Sequence, residues 1–156
     1  VLMICGRLCS DKSTYAEKLR VESNAVILSA DELTLALFEG DAGEKLDGYV
    51  ERAKGYLLEQ SVRLIAAGVN VILDWGFWTR QERRDARAFF AFRGILCETH
   101  YLQIADEEWA RRIAERNRAV EAGRASTYFV DDSLVAKFWA LFEAPSREEI
   151  DVWREG

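Results

Sequence analysis

Apolar runs too short for anything but strands recur along this chain, each followed by a polar turn and a helical segment. Val1-Leu2-Met3-Ile4-Cys5 has no polar residue on either face, as expected of a strand covered on both sides. Ala25-Val26-Ile27-Leu28 and Val69-Asn70-Val71-Ile72-Leu73 read the same way, and Ile95–Leu102 gives a fourth strand. Between them, Ser13–Arg20, Asp31–Phe38, Tyr49–Ala67, Thr79–Phe92, Asp106–Val120 and Asp132–Phe142 have helical spacing. Gly68 stops the third of these, and Thr79 is the expected N-cap of the fourth. Gly40–Gly48 reads as a polar, flexible connection, Glu121–Asp131 as a polar connector, and Pro145–Trp153 as a tail that can hold a short last strand. Strands alternating with helices from end to end imply an α/β domain with a mostly parallel sheet and right-handed crossovers. In such sheets ligands bind beyond the carboxyl ends of the strands, so the residues directly after each strand matter most.

Length and composition narrow the alternatives. The 156 residues are about one domain, read here as 1–156. Aromatics at 12%, with five Trp, argue against disorder, and a single Pro excludes Pro-rich low complexity. No apolar run approaches the roughly 18 residues of a membrane span. Three cysteines without a CxxC cannot all pair within the chain, so a reduced, cytoplasmic protein is expected. A net charge of −6 disfavours a general polyanion binder, so nucleic acid is not expected as a partner. A small phosphorylated ligand held by a local arginine cluster stays compatible with it. The oligomeric state is open.

The loop after the first strand carries the strongest motif. Gly6-Arg7-Leu8-Cys9-Ser10-Asp11-Lys12-Ser13 matches G-x-x-x-x-G-K-[ST] at Gly6, Lys12 and Ser13. In that motif, backbone N–H groups and a helix N-terminus cradle phosphates, the Lys reaches the outer phosphates and the hydroxyl holds Mg²⁺. Asp11 stands where the second Gly belongs. Asp tolerates φ > 0 better than most residues, so the loop can form. Its charge is a harder matter: two like charges about 5 Å apart repel by roughly 3 kcal/mol at an effective dielectric of about 20. Mg²⁺ or Arg7 is the expected source of compensation.

Carboxylates follow the next two strands. Asp31 is read as a general base for an attacking hydroxyl, against the plainer role of N-cap. Asp74 ends the third strand, where a carboxylate binds Mg²⁺ directly or through water, against the plainer role of turn residue. Trp75-Gly76-Phe77-Trp78 either walls an acceptor pocket or packs under the next helix. Arg80, Arg83, Arg84 and Arg87 read mainly as solvated, paired with Glu82 and Asp85, with one of them able to reach the acceptor. Arg112 and Arg116 share one helix face and suit a transferring phosphoryl group, whereas Arg111 and Arg118 suit surface pairs with Glu108 and Glu115. His100, inside a strand, reads as structural. Cys9, near a helix N-terminus, has no evident base for a nucleophilic role.

Taken in order, CGRLCSDKST at 5–14, SADE at 29–32, VNVILDWGFWTRQER at 69–83, RRIAERNR at 111–118 and FEAPSREE at 142–149 resemble a family. It is the small P-loop kinases grouped as an AAA-type ATP-binding domain family, related to the polynucleotide 5′-kinase domain, chloramphenicol phosphotransferase and the zeta toxins. The resemblance covers nearly the whole chain. It implies a P-loop NTPase fold with five parallel strands ordered 2-3-1-4-5, and a short Arg-bearing lid at about 111–131. It implies ATP and Mg²⁺ as cosubstrates and transfer of the γ-phosphoryl group to a small-molecule hydroxyl. Under it Gly6, Arg7, Cys9, Ser10, Asp11, Lys12, Ser13 and Thr14 meet the nucleotide, with Arg112 and a segment around Pro145 that borders the adenine. Ser13 and Asp74 hold Mg²⁺, and Asp31, Lys12, Arg112 and Arg116, with Asn117 beside them, form the catalytic set. Asp11 departs from the pattern and raises the alternative of a nucleotide-binding module without turnover. Polynucleotide kinases carry an Arg three residues after the base, where this chain has Thr34, which weakens a nucleic-acid 5′-hydroxyl as acceptor.

Overall fold

The computed structural model describes residues 1–38, 43–124 and 128–155. Five strands pair in parallel: β1 (Leu2–Gly6), β2 (Ala25–Leu28), β3 (Asn70–Gly76), β4 (Glu98–Gln103) and β5 (Val152–Glu155). Their order in the sheet is β2-β3-β1-β4-β5, as the resemblance implies. Six α-helices accompany them among the described residues: α1 (Lys12–Ser23), α2 (Ala30–Phe38), α3 (Leu46–Ala66), α4 (Arg80–Ala91), α5 (Asp106–Glu121) and α6 (Asp132–Leu141).

The period-2 alternation of the strands sorts the core onto two faces. Met3, Cys5, Val71, Leu73 and Trp75 point one way and pack with Leu57 of α3 and Phe90 of α4. Ile4 and Ile72 point the other way and meet Ala16 of α1. Each fully buried Leu, Ile or Phe contributes about 1.5–3 kcal/mol, so the central strands anchor the domain. A third cluster, Ile104, Trp109 and Phe138, joins α5 to α6 beside the β1 loop. No helix among the described residues is long and apolar enough to cross a membrane.

Several boundaries differ from the sequence expectation. The fourth strand starts at Glu98, because Ile95 and Leu96 belong to the turn after α4 and Leu96 is 89% exposed. β3 runs past Leu73 to Gly76, placing Asp74 opposite Ile4 within the ladder. Gly48 lies inside α3, and Gly43–Lys45 is a 3-10 turn leading into it, so the expected flexible connection is shorter than 40–48; residues 39–42 lie outside the described residues. The tail does hold a strand, β5, at the edge of the sheet. Thr79 caps α4 as expected, its hydroxyl accepting the Glu82 N–H at 3.0 Å.

Candidate functional site

A cleft of about 1540 Å³ opens over the carboxyl ends of β1, β2 and β3 and continues along the β2 edge past Glu17, Arg20 and Ala25. Pockets for one small ligand run to roughly 300–1,000 Å³, so it has room for two.

The β1 loop forms one side. A Cβ on Gly6 would stand 2.8 Å from Ser10 Oγ and 2.9 Å from the Leu102 carbonyl, so the loop needs glycine there. Cys9 and Asp11 take left-handed backbone at φ 54° and 60°. Asp11 therefore adopts the glycine-like conformation, at a cost of roughly 1–2 kcal/mol. Tyr15 N–H bonds to the Asp11 carbonyl at 2.9 Å, and no side chain caps the N-terminus of α1. Lys12 donates to the Arg7 carbonyl at 2.6 Å, and Trp109 of α5 donates its indole N–H to the Leu8 carbonyl at 2.8 Å.

Ser13 and Asp74 meet at the floor: the Ser13 hydroxyl donates to Asp74 Oδ2 at 2.9 Å. Asp74 is 7% exposed and lies within a strand, which removes the turn-residue reading. A hydroxyl and a carboxylate are hard oxygen donors of the kind Mg²⁺ takes, so these residues fit the ion when phosphate oxygens and water complete its shell. Among the described residues no three His, Cys, Asp or Glu converge as a metal site of their own.

Asp31 enters from the first turn of α2. The capping role falls to Ser29, whose hydroxyl accepts the Glu32 N–H at 3.2 Å, and the Asp31 carboxylate faces the cleft. Asp31 stays open to the cleft, but desolvation by the surrounding walls raises its pKa, Asp74 adds to the rise, and Lys12, Arg116 and Lys54 oppose it. Burial lowers the Lys12 pKa, while Asp74 and Asp31 pull it back up. Lys12, Asp31 and Asp74 thus feel one another across the cleft.

The arginines divide. Arg112 pairs with Asp11 and with Glu108. Arg116 Nε donates to the Tyr128 carbonyl at 3.1 Å, and its Nη1 lies 3.8 Å from Cys9 Sγ. Asn117 donates to the Val130 carbonyl at 2.7 Å and accepts the Val130 N–H at 2.9 Å, tying the chain after residue 127 to α5. Arg111 pairs with Glu108 and Glu115 on the surface, and Arg118 bonds its own helix at Ala114. Arg7 turns away from the cleft: it pairs with Asp106 and stands 5.4 Å and 5.0 Å from the rings of Trp109 and Trp139. Compensation for Asp11 therefore comes from Arg112 and not from Arg7.

Cys9, Ser10 and Thr14 line the cleft, whereas Pro145 is buried outside its lining. In the aromatic loop Trp75 and Trp78 line the cleft, and Phe77 is fully buried in the core at φ 47°. Phe77 keeps that conformation because its carbonyl accepts from Arg83 at 3.1 Å and from the Cys5 thiol at 3.5 Å. Arg83 is not solvated as expected. It is 1% exposed and bonds Glu149 and the carbonyls of Phe77, Trp78 and Glu143. Arg87 likewise reaches Thr99 and Asp151, and none of Arg80, Arg83, Arg84 and Arg87 lines the cleft. His100 is structural, its Nδ1 2.9 Å from the Tyr15 hydroxyl. The cysteines are free thiols, and burial pushes Cys5 up to about 12 and Cys97 up to about 11, which disfavours the reactive thiolate in both.

Lys54, Glu51, Glu82, Tyr128 and Lys137 also line the cleft. Nothing in their local pattern marks them, since each lies on a helix or connector of ordinary polar composition and reaches the site only through the fold.

Known proteins share this fold. A sugar kinase from Janibacter sp. superposes with a TM-score of 0.66 at 20% identity, covering 99% of this chain and 83% of that one. The APS kinase of Mycobacterium tuberculosis, solved with AMPPNP and APS, gives 0.67 at 19%, covering 99% and 86%. The Pnkp1/Rnl/Hen1 RNA repair complex gives 0.71 at 23%, covering 90% of this chain and 42% of that one. No curated protein matches the sequence. At these identities the superpositions speak for the fold, which is that of P-loop kinases. The model of the AAA domain family matches residues 1–145, nearly the whole chain, and the protein belongs to that family.

Proposed function

We propose that the protein is a phosphotransferase that moves the γ-phosphoryl group of ATP to a hydroxyl of a small molecule. The observation that carries this reading is the convergence of the Ser13–Asp74 pair, Lys12 and Asp31 on one cleft large enough for nucleotide and acceptor. The backbone of the β1 loop and the uncapped start of α1 receive the phosphates. Ser13 and Asp74 would hold Mg²⁺, which when bound would neutralise charge on the phosphate oxygens. Lys12 and Arg116 stabilise the charge spread over the transferring group. Asp31 orients the acceptor hydroxyl and takes its proton as the new O–P bond forms. The bond from the γ-phosphorus to the β–γ bridging oxygen breaks in the same step, and ADP leaves with that electron pair. The raised Asp31 pKa suits a base that must hold a proton briefly.

One observation favours a second reading, nucleotide binding without turnover: Asp11 neutralises Arg112, and its carboxylate stands on the phosphate loop. Phosphorylation of nucleic-acid ends is disfavoured by the acidic net charge and by Thr34, which is buried three residues after Asp31.

A thermal-shift series with ATP and Mg²⁺, followed by ADP release with and without hydroxylic acceptors, tests the proposal. A ligand that binds only the folded state stabilises it by about 2.7 kcal/mol at a hundred times Kd. A thermal shift with acceptor-dependent ADP release supports phosphotransfer. A shift without release in any acceptor mixture leaves the binding module, and no shift removes both.

A further inference from the structure

The half of the cleft away from the β1 loop has a charge pattern that bears on the acceptor. Carboxylates enter it from α2 with Asp31 and Glu32, from α3 with Asp47 and Glu51, and from α4 with Glu82. The lysines on the same walls are already neutralised. Lys54 Nζ lies 3.0 Å from Glu51 and 2.7 Å from Glu82, and Lys137 pairs with Asp47. Burial alone would lower the Lys54 pKa, but Glu82 and Glu51 outweigh it and raise it, so Lys54 stays charged. Lys12, Arg112 and Arg116 belong to the phosphate side of the cleft. Five carboxylates against two lysines, both already paired, leave this side of the cleft with an excess of negative charge that an anionic group on an acceptor would face.

A second observation points to hydroxyl recognition. Trp75 lines the same wall and is 7% exposed, and its indole N–H is buried without a hydrogen-bond partner. A buried donor left unmet is costly, and a ligand oxygen can accept from it once the indole turns toward the cleft. Hydroxyl groups serve both needs: they donate to the carboxylates and accept from Trp75. Thr34 adds no cation, its own hydroxyl being spent on the carbonyls of Ala30 and Asp31 at 2.9 and 3.1 Å.

We propose that the acceptor is a polyhydroxylated small molecule, neutral or amine-bearing, that carries no anionic group. Glu51, Glu82 and Trp75 set this preference. The inference rests on the phosphotransfer reading above.

The test uses a bacterial small-molecule extract, separated beforehand on an anion exchanger into anionic and non-anionic fractions. Each fraction is incubated with the protein, Mg²⁺ and ATP labelled on the γ-phosphorus. Label should enter the non-anionic fraction at least roughly tenfold faster. Transfer mainly into the anionic fraction overturns the acceptor class and leaves phosphotransfer standing. Transfer into neither fraction overturns phosphotransfer, and the acceptor class goes with it. The E51Q/E82Q double variant keeps side-chain size and frees Lys54. The preference should then narrow by about tenfold. An equal loss in both fractions would mean that these carboxylates serve only the fold, which also overturns the assignment.

Discussion

Asp11 and Arg112, 101 residues apart in sequence, form an ion pair across the mouth of the phosphate loop. Glu108 holds the same guanidinium from one turn earlier on α5. Arg112 thus carries two carboxylates where the resemblance assigns it a phosphate. A nucleotide arriving at the loop competes with Asp11 for Arg112 and meets the Asp11 charge as well.

Asp11→Gly is expected to lower the Kd for ATP·Mg²⁺ by at least about tenfold, a 1.4 kcal/mol change that sits within the roughly 3 kcal/mol repulsion expected at close range. Stability should hardly move. Gly relieves the left-handed backbone by about 1 kcal/mol, and the lost pair is exposed and worth about 0–1 kcal/mol. Isothermal titration of both chains reads the difference directly. An unchanged Kd would show that Asp11 swings clear of the phosphates and that the ion pair is incidental to binding.

Asp31 sets the expected pH dependence of transfer. Its pKa is raised from 3.8 by desolvation within the cleft, so protonation removes the base at a higher pH than for a free aspartate. The Lys12 pKa is lowered from 10.5 by burial, so loss of its charge closes the alkaline side earlier than for a free lysine. The pH profile of kcat/KM for ATP should be a bell narrower on both sides than those two ordinary values. Asp31→Asn should cost about 10²–10⁴-fold in kcat and leave ATP binding intact. Loss of ATP binding in that variant would assign Asp31 to nucleotide recognition.

The strands and the loop were legible because burial on both faces leaves continuous apolar runs and because Gly6, Lys12 and Ser13 keep their motif spacing. Asp74 and Asp31 were legible by position, as carboxylates at the ends of such runs. Arg83 was not. Its neighbours Arg80, Arg84 and Arg87 make the segment look like a solvated face, and only the return of Glu143 and Glu149 against α4 buries it. The partner of Asp11 was hidden for the same reason, since α5 reaches the loop through the Trp109–Leu8 bond. The start of β4 misled because Ile95 and Leu96 are apolar yet precede the strand, whose buried interior includes Thr99 and His100.

Arg83→Met should cost about 3–5 kcal/mol, because it leaves Glu149 and several carbonyls without their donor. Urea unfolding measures it. The pH dependence follows from Glu149. Burial pushes its pKa up, but the Ser146 N–H and Arg83 outweigh that, and the net shift is below 4.5. A depressed carboxylate stabilises the fold above its unfolded pKa, and that contribution is lost as pH falls through the folded value. Stability should therefore decline below about pH 4.5, and Glu149→Gln should flatten that decline. An unaltered acid limb in Glu149→Gln would place the sensitivity elsewhere, with Asp151 as the next carboxylate held low by Arg87 and the Thr99 N–H.

Asn117 holds the last part of the site in place. Its amide brackets Val130, donating at 2.7 Å and accepting at 2.9 Å, while neighbouring Arg116 donates to the Tyr128 carbonyl at 3.1 Å. Tyr128 in turn donates its hydroxyl to Thr34 at 3.2 Å, which links this segment to α2 and so to Asp31. Asn117→Ala removes both bonds to Val130, worth about 1 kcal/mol each. Asn117 is a positioning residue, so kcat should fall by about tenfold while the Kd for ATP stays within about twofold. Amide exchange gives the readout that a simple loss of stability would not reproduce. The Val130 N–H should exchange faster, while the amides of β1 and β3 keep their protection. Uniformly faster exchange across the sheet would mean that Asn117 supports global stability and does not specifically position Arg116.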